Sequence, residues 1–364
     1  MDPTLPVLLR PLDATFGQAC LAVNRACPIE AEFTLRFDRE PDFFAWPERV
    51  FDSFEYLGIF VADRLVGYFL TGLRAGWTGS KWGRWAYFGD YRIMPEFRGR
   101  HLGFRALAEV VRRLPDDIGI GCFIIAQGNR TTGFVRLLGL LQTKVHHAGL
   151  LEVYSLPVFR QPGFKGHCQI RPGVPDDLPA LASLVRRQWE GRLFGLSLSK
   201  DLSICEWKET FSRGRVLVAH HESGLCGVVA WTYLGDVRRT TVVRYPARSW
   251  PIRALWAAAR RLDRRVIDLP VAGEAIRAAT VILLTAEGDD PQVLRELLIG
   301  VRRAQVGIGI HLVQVAGFAG QNVLEALKGM LRVRFCSDVW IATRRNTPPT
   351  DILHQPPVID LALL

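Results

Sequence analysis

The chain has 364 residues, of which 49% are hydrophobic, and it carries a formal net charge of +10. This length and apolar content exclude a globally disordered protein and suffice for two ordinary domains. The positive charge favours anionic partners such as phosphorylated cofactors or nucleic acid, without choosing among them. Lysine supplies only six of the 46 basic residues, which we attribute to a GC-rich coding sequence rather than to a phosphate-binding surface.

The seven cysteines include no Cys-x-x-Cys pair. Their odd number and their spacing predict neither a disulfide framework nor a zinc ribbon, so we expect free thiols in a reducing compartment and no bound metal. The sequence starts Met-Asp-Pro-Thr-Leu-Pro, without a basic segment followed by an apolar one, and no apolar run approaches the roughly 20 residues of a membrane span. We therefore expect a soluble, cytoplasmic protein with no membrane partner.

Strand and helix patterns alternate along the first half of the chain. Leu9-Arg10-Pro11 precedes Asp13, a carboxylate suited to capping a helix start, and a helical pattern follows. Residues 59–62 and 65–69 predict a hairpin whose turn is Asp63-Arg64. The later elements of this half are a strand over 85–94, a helix over 103–114, a strand over 118–126, a helix from about Asn129 and a closing strand over 150–156.

The same plan recurs about 160 residues further on, which indicates an internal repeat. Ile170-Arg171-Pro172 precedes Asp176-Asp177 and a helix with apolar residues at helical spacing. Residues 216–219 and 225–229 predict a second hairpin. The remaining elements of this half are strands over 277–285, 310–316 and 333–342, a helix over 291–303 and a helix from Gln321.

Strands and helices of these lengths predict a three-layer α/β domain in each half. A segment rich in proline and glycine is the natural linker, and the polar, proline-rich end of the chain is a tail or strap. We divide the chain into a first domain (1–157), a linker (158–167), a second domain (168–344) with an insertion holding one helix (235–274), and a tail (345–364).

A strand-to-helix junction at residues 93–103 carries the clearest chemical signal. A β-rich run passes through Pro95 into a basic, glycine-bearing loop, and that loop opens a helix. Backbone N–H groups and the positive end of the helix would converge there, which suits a pyrophosphate. Gly99 and Gly103 would let the backbone approach the phosphates, while Arg98 and Arg100 add positive charge.

Residues 95–103 read Pro-Glu-Phe-Arg-Gly-Arg-His-Leu-Gly. This resembles the acyl-CoA signature of the GNAT superfamily of N-acyltransferases, Arg/Gln-x-x-Gly-x-Gly/Ala after Pro-Glu-aromatic. Arg98 and Gly103 fill the first and last places, and His101 replaces the middle glycine. Asn129 matches the asparagine that the family places after its fifth strand. The resemblance covers residues 8–156 and, with the repeat, implies two tandem GNAT-like domains, each with a mixed, mostly antiparallel sheet flanked by helices.

The resemblance also implies a co-substrate and a reaction. Acyl-CoA, most commonly acetyl-CoA in this family, would donate its acyl group to a small-molecule or peptide amine bound between or beside the two domains. The backbone at Ile93 and Met94 would hold the pantetheine arm, and the loop amides would hold the pyrophosphate. The implied cofactor site comprises Ile93, Met94, Arg98, Gly99, Arg100, His101, Leu102, Gly103 and Asn129.

Acyl transfer to an amine needs a proton acceptor for the amine and a proton donor for the thiolate. The tyrosine that many family members place after the asparagine is absent, because residues 133–137 read Gly-Phe-Val-Arg-Leu. Asp90, on the strand leading into the loop, is the candidate base, and a strand-edge aspartate facing solvent is an equal alternative. Tyr87 and Tyr91 offer hydroxyls on the same strand, although aromatic residues there favour packing. The pairs His146-His147 and His220-His221 favour surface positions over metal ligation.

The second half lacks the basic loop. Glu287, Asp289 and Asp290 stand where phosphates would lie, and three carboxylates would repel CoA, so this half is interpreted as a degenerate GNAT-like domain. Two other functions stay open. A sensor or scaffold that binds CoA but catalyses no acyl transfer is consistent with the absence of the tyrosine. An aminoacyl transferase using charged tRNA fits the net charge, although the CoA-like loop argues against a nucleic-acid partner.

Overall fold

A computed structural model describes residues 6–30, 33–79, 81–127, 143–159, 166–196, 213–222, 224–344 and 355–364, except the side chains of Glu30 and Arg248. Among the helices in these ranges, none has the length and apolar character needed to cross a bilayer.

The strands are β1 Val7–Leu12, β2 Ile29–Glu30, β3 Thr34–Asp38, β4 Ser53–Val61, β5 Arg64–Trp77, β6 Trp82–Ile93, β7 Ile120–Ala126, β8 Thr143–Pro157, β9 Gln169–Pro172, β10 Val216–His221, β11 Gly224–Thr232, β12 Arg239–Arg244, β13 Ala275–Ile276, β14 Ala278–Ala286, β15 Leu312–Phe318 and β16 Val333–Arg344. The α-helices are α1 Gly17–Ala26, α2 Ala45–Val50, α3 Leu102–Arg113, α4 Leu178–Trp189, α5 Trp250–Leu262, α6 Pro291–Ala304 and α7 Asn322–Ala326.

One 12-stranded sheet runs through the molecule in the order β1-β4-β5-β6-β7-β16-β8-β15-β14-β11-β10-β9. The two halves enter it with matching orders, β1-β4-β5-β6-β7 and β9-β10-β11-β14-β15, so the predicted repeat is present. Only the pairs β6/β7 and β14/β15 are parallel among the described neighbours in this sheet. The predicted fold class, a mixed and mostly antiparallel sheet flanked by helices, is confirmed.

The two halves exchange their last strands. The sequence assigns the strand over 150–156 to the first half and the strand over 333–342 to the second. In the structure β16 pairs with β7 of the first half, β8 pairs with β15 of the second, and β8 and β16 pair with each other. The apolar pattern predicts each strand but not its neighbour, because the alternation of side chains along a strand does not specify which strand pairs beside it.

Local sequence signals explain the elements that hold the loop. Helix α3 buries Leu102, Ala106, Leu107 and Val110 at helical spacing, so one apolar face packs on the sheet. Asp13 accepts a hydrogen bond from the backbone N–H of Thr15 at 2.9 Å and caps the turn that leads into α1, as its sequence position predicts.

A second, four-stranded sheet has the order β13-β12-β3-β2. Strand β3 comes from the first half, whereas β12 belongs to the insertion over 235–274, and they pair from Arg239 with Asp38 to Arg244 with Thr34. The sequence predicts one helix in the insertion, which is α5, but neither β3 nor β12. This small sheet therefore joins the halves a second time.

The end of the chain folds back onto the first half, as a strap would. Trp46 Nε1 donates to the carbonyl of Ala362 at 3.1 Å, and Arg74 forms an ion pair with Asp360 at 2.8 Å. Leu361, Ala362 and Leu363 are buried. Residues 361–363 thus contribute to the core.

Candidate active site and cofactor cleft

Strands β6 and β7 diverge halfway along their length. Their parallel pairing ends at Phe88 with Phe123, although β6 continues to Ile93 and β7 to Ala126. Past this point the register of β6 against β5 shifts, and Asp90 adopts a positive φ of 44°. Such an irregularity bends a strand away from its neighbour. We call the resulting space between β6 and β7 the first cleft.

The predicted phosphate loop lies at the mouth of this cleft. Pro95–Phe97 form a short 3₁₀ turn, Gly99 has a φ of 79°, and His101 has a φ of 55° just before α3. The His101 side chain makes no capping hydrogen bond to the helix. Residues 98–101 are exposed while Leu102 and Gly103 are buried. An exposed helix start without a side-chain cap favours binding of an anion.

The loop arginines take different positions. Arg98 donates from Nε to the carbonyl of Ile93 at 3.1 Å, so its side chain fastens the loop to the end of β6. The Arg98 backbone N–H is also used, because it donates to Pro95 at 3.2 Å. The Arg100 guanidinium lies 5.6 Å from the ring centroid of Phe97 and is exposed. The groups of this loop that remain available to a phosphate are therefore mainly Arg100 and the amides after Arg98.

Two of the predicted pantetheine contacts already have internal partners. The Ile93 carbonyl accepts from Arg98 and from the thiol of Cys27, and the Met94 N–H donates to Val66 at 2.9 Å. Binding of pantetheine by Ile93 and Met94 therefore stays a prediction, and residues 89–92 form the wall of the first cleft. Asn129 and residues 133–137 lie outside the described residues.

A central cavity of about 370 Å³ adjoins the first cleft. Residues of both diverging strands line it, and so do the small sheet, the insertion, the second half and the tail. Representative lining residues are Tyr87, Asp90, Tyr91, Phe123, Ala126, Phe37, Arg238, Trp256, Gln314 and Leu363. The cavity is mostly apolar, and its charged lining residues are Arg39, Asp90, Arg92, Arg238 and Arg334.

Asp90 lies in the cavity wall within a buried ion pair. Its side chain is 4% exposed, and Oδ2 lies 2.7 Å from Nη1 of Arg39, whose side chain is 2% exposed. Tyr56 donates its hydroxyl to the same Oδ2 at 3.0 Å. The other oxygen, Oδ1, has Arg92 Nε at 3.6 Å and accepts no hydrogen bond within the described ranges. Asp90 therefore does not face bulk solvent, and Oδ1 is the oxygen available to a ligand.

The surrounding groups keep fixed charges. Burial lowers the pKa of Arg39, but the Asp90 carboxylate more than offsets this, so the net pKa is raised. Burial raises the pKa of the Tyr56, Tyr87 and Tyr91 hydroxyls, which are neutral at physiological pH. Burial and repulsion by Arg39 lower the pKa of Arg238 to about 10, so Arg238 is still a cation at neutral pH.

Sequence reasoning missed Arg39, Tyr56 and Arg238. Each comes from an element distant along the chain from Asp90, so no local spacing connects them. The one available signal was the insertion over 235–274, whose start carries Arg238.

The second half contains a matching divergence, which we call the second cleft. Parallel pairing of β14 with β15 ends at Thr280 with Gln314, although both strands continue. Asp290 caps α6 by accepting from Gln292 N–H at 2.8 Å, as expected for a helix start without phosphate. Tail residues Pro357, Val358, Ile359 and Leu361 line a small cavity of about 100 Å³ in this cleft. The tail therefore lines the second cleft, and a carboxylate caps the helix that begins beside it.

Comparison with known proteins agrees with this geometry. Residues 21–140 match the model of the acetyltransferase (GNAT) family. The chain contains a GNAT-family domain. No curated protein sequence shows significant similarity to it.

Solved structures share the fold of this GNAT-containing chain. The GCN5-related glucosamine N-acetyltransferase region of a fungal multi-domain GH3 β-N-acetylglucosaminidase aligns over 93% of this chain and 38% of its own, with 9% identity and a TM-score of 0.61. A tandem GNAT protein from the clavulanic acid biosynthesis pathway aligns over 93% and 99%, with 13% identity and a TM-score of 0.53. Saccharomyces cerevisiae N-myristoyltransferase with bound myristoyl-CoA aligns over 92% and 82%, with 8% identity and a TM-score of 0.53. The chain spans little more than a third of the first of these proteins, and at such identities the likeness concerns the fold alone.

Proposed function

We propose that the protein is an acyl-CoA-dependent N-acyltransferase, with acetyl-CoA as the donor. The main support is one juxtaposition: the uncapped start of α3 lies at the mouth of the first cleft, and the walls of that cleft, residues 89–92 and 124–126, also line the central cavity. A pyrophosphate at the helix start and a pantetheine arm between the strands would bring a thioester to the cavity wall that contains Asp90.

The residues of the cavity suit the proton transfers of the reaction. An amine must lose a proton before or during its attack on the thioester carbonyl, and Asp90 Oδ1 is the proposed acceptor, directly or through water. The leaving thiolate needs a proton, and the Tyr91 hydroxyl, kept protonated by burial, is the proposed donor. Arg39 and Tyr56 hold Asp90 through Oδ2 and leave Oδ1 available.

The donor site is tested by calorimetric titration with acetyl-CoA and with longer acyl-CoAs. We expect micromolar binding to the wild-type protein and none to Gly103→Asp, because a negative charge at the helix start repels the phosphates. The matched control is Gly103→Ala, which adds a Cβ without charge. An aspartate near a helix N-terminus does not disfavour the helix, and circular dichroism would verify folding. Equal affinity in Gly103→Asp and wild type would remove the proposed site.

Turnover is tested by following thiol release across a panel of amines. Amine-stimulated release that is lost in Asp90→Asn and slowed in Tyr91→Phe would support the mechanism. Acyl-CoA binding without any amine-dependent release would favour the sensor or scaffold instead.

A further inference from the structure

Arg238 introduces a positive charge into the central cavity. It lies in the insertion directly before β12, and its Cζ lies 4.8 Å from the ring centroids of both Trp46 and Phe37. Its backbone N–H donates to Leu234. Within the parts of the chain that the structure describes, its guanidinium has neither a carboxylate at ion-pair distance nor a hydrogen-bond acceptor.

The neighbouring cation provides a direct comparison. Arg39 packs on the same Trp46 ring at 4.4 Å, but it is neutralised by Asp90 at 2.7 Å. Arg74, also largely buried, is neutralised by Asp360. A desolvated cation without a counter-charge is unfavourable, and folded proteins normally pair it. A guanidinium is also well suited to a bidentate contact with a carboxylate. The uncompensated charge of Arg238 is therefore suited to an anionic group on a ligand.

The rest of the cavity limits what else that ligand contains. Phe33, Leu35, Tyr245, Trp256 and Leu269 contribute mainly apolar surface between the small sheet and the insertion. Asp90 presents Oδ1 to the same cavity; this oxygen has Arg92 Nε at 3.6 Å and accepts no hydrogen bond within the described ranges. A molecule that matches the apolar lining, Arg238 and Asp90 has an apolar body, an anionic group and an amine.

We propose that the acceptor is an apolar amino acid or a closely related amino carboxylate, whose carboxylate is bound by Arg238 and whose amine lies near Asp90. The identification as an acceptor rests on the proposed N-acyltransferase function. The carboxylate site itself rests on Arg238 and is testable by binding alone.

The probes are phenylalanine and leucine, each compared with its amide and with the amine lacking the carboxyl group, phenethylamine or isoamylamine. Binding is measured by calorimetry with and without CoA, and turnover by thiol release from acetyl-CoA. We expect wild type to bind the acid at least tenfold more tightly than the amide or the amine. Arg238→Met, which keeps an apolar side chain on Trp46, should remove this preference, while Arg238→Lys should keep part of it. Arg239→Met is the matched control, because Arg239 is exposed on β12.

Each outcome bears on the proposal. Equal binding of acid, amide and amine, a preference that survives in Arg238→Met, or no binding of either amino acid would overturn it. If wild type instead prefers succinyl-CoA to acetyl-CoA through Arg238, the carboxylate belongs to the donor and the acceptor assignment is wrong. A carboxylate preference without acetyl-CoA binding would retain the site and overturn the proposed function.

A separate observation concerns Cys168, His221 and Cys226, on the outer strands of the second half. Cys168 Sγ lies 3.9 Å from Cys226 Sγ and 3.4 Å from His221 Nε2, and the three atoms lie within 4.8 Å of one another. Cys168 precedes β9, His221 ends β10, and Cys226 is in β11. The sequence predicted free cysteines and a surface histidine. The three residues are brought together by strand pairing, so their spacing along the chain does not resemble a linear zinc motif.

Two of these distances, from Cys168 Sγ to Cys226 Sγ and to His221 Nε2, are close to those of a tetrahedral zinc site. Zn–S bonds of about 2.3 Å and Zn–N bonds of about 2.0–2.1 Å separate two sulfurs by about 3.8 Å and a sulfur and a nitrogen by about 3.6 Å. The backbone at Cys168 is also held in place, because the buried Glu296 carboxylate accepts from the N–H groups of His167 and Cys168 at 2.7 and 3.0 Å. A preorganised ligand set of this kind favours metal binding.

We infer that Cys168, His221 and Cys226 bind one Zn²⁺, with water or an external group as the fourth ligand. The test is metal analysis of the purified full-length chain, followed by substitution with Co²⁺. We expect one zinc per chain and thiolate-to-cobalt charge-transfer absorption, both lost in Cys168→Ser and Cys226→Ser and retained in Cys336→Ser. Absence of zinc and of cobalt binding, zinc content unchanged in Cys168→Ser, or a Cys168–Cys226 disulfide found by peptide mapping would overturn this inference.

Discussion

Nη1 of Arg39 lies 2.7 Å from Oδ2 of Asp90, and both side chains are almost fully buried. Arg39 directly follows β3 of the small sheet, whereas Asp90 is in β6 of the large sheet. The ion pair therefore connects two walls of the central cavity. Because removing one partner leaves the other charge buried and unpaired, such pairs are strongly destabilising to break, by about 3–5 kcal/mol.

Asp90→Asn should lower the free energy of unfolding by roughly 3 kcal/mol and abolish acyl transfer. Asparagine tolerates the positive φ at this position, so the loss would reflect charge rather than backbone strain. Urea denaturation and thiol release measure the two effects. The double variant Arg39→Met/Asp90→Asn should recover much of the stability but not the activity. Tyr56→Phe, which removes one hydrogen bond to Asp90, should lower the free energy of unfolding by only about 1 kcal/mol. Full activity in Asp90→Asn would exclude Asp90 as the base.

His101 occupies a left-handed backbone position, with a φ of 55°, where the family motif has glycine. This conformation costs an L-residue roughly 1–2 kcal/mol. His101→Gly should therefore bind CoA as tightly as wild type or more tightly, with stability unchanged or raised by about 1 kcal/mol. His101→Val should weaken CoA binding, because a β-branched side chain disfavours the conformation further. Calorimetry of both variants measures this, and weaker binding by His101→Gly would mean that the imidazole itself contacts the cofactor.

His311 should make stability depend on pH. Its Nδ1 accepts from Arg277 N–H at 3.0 Å, and Nε2 donates to the Asp268 carbonyl at 2.9 Å. Burial and, to a smaller degree, Arg277 lower its pKa to about 4. The folded pKa is below the unfolded value of about 6.5, so the unfolded chain takes up the proton first as pH falls. The free energy of unfolding should therefore decrease by on the order of 3 kcal/mol as the pH falls from 6.5 to 4.

The control for His311 is His311→Gln, which offers an acceptor and a donor but does not titrate in this range. Denaturation midpoints of wild type and variant are compared from pH 7.5 to pH 4.5. Wild type should lose stability relative to the variant as pH falls. Parallel curves would show that His311 is accessible to protons in the fold.

The contrast between α3 and the small sheet explains what sequence reasoning could predict. The start of α3 and its preceding loop are encoded within about a dozen adjacent residues, so periodicity, glycine placement and charge describe them locally. Strands β3 and β12 are short, and they pair with each other from distant parts of the chain. The hydrogen bond from Trp46 to Ala362 spans 316 residues and has no local signal. Arg238 was missed for the same reason, because its place beside Trp46 depends on that long-range pairing.

The exchange of β8 and β16 predicts that neither half folds alone. In the fragment 1–160, β7 lacks its partner β16 along the edge from Ile120 to Ala126, and β8 lacks both of its neighbours, β15 and β16. We expect fragment 1–160 to aggregate when expressed alone, because long apolar strand edges pair with other chains. Co-expression with fragment 161–364 should restore a soluble complex, which size-exclusion chromatography and circular dichroism would detect. A protease site inserted at the same position and cut after folding is the matched control, and the two pieces should then stay associated. A monomeric, cooperatively folding 1–160 fragment would contradict the prediction and would mean that β8 can close the first half by itself.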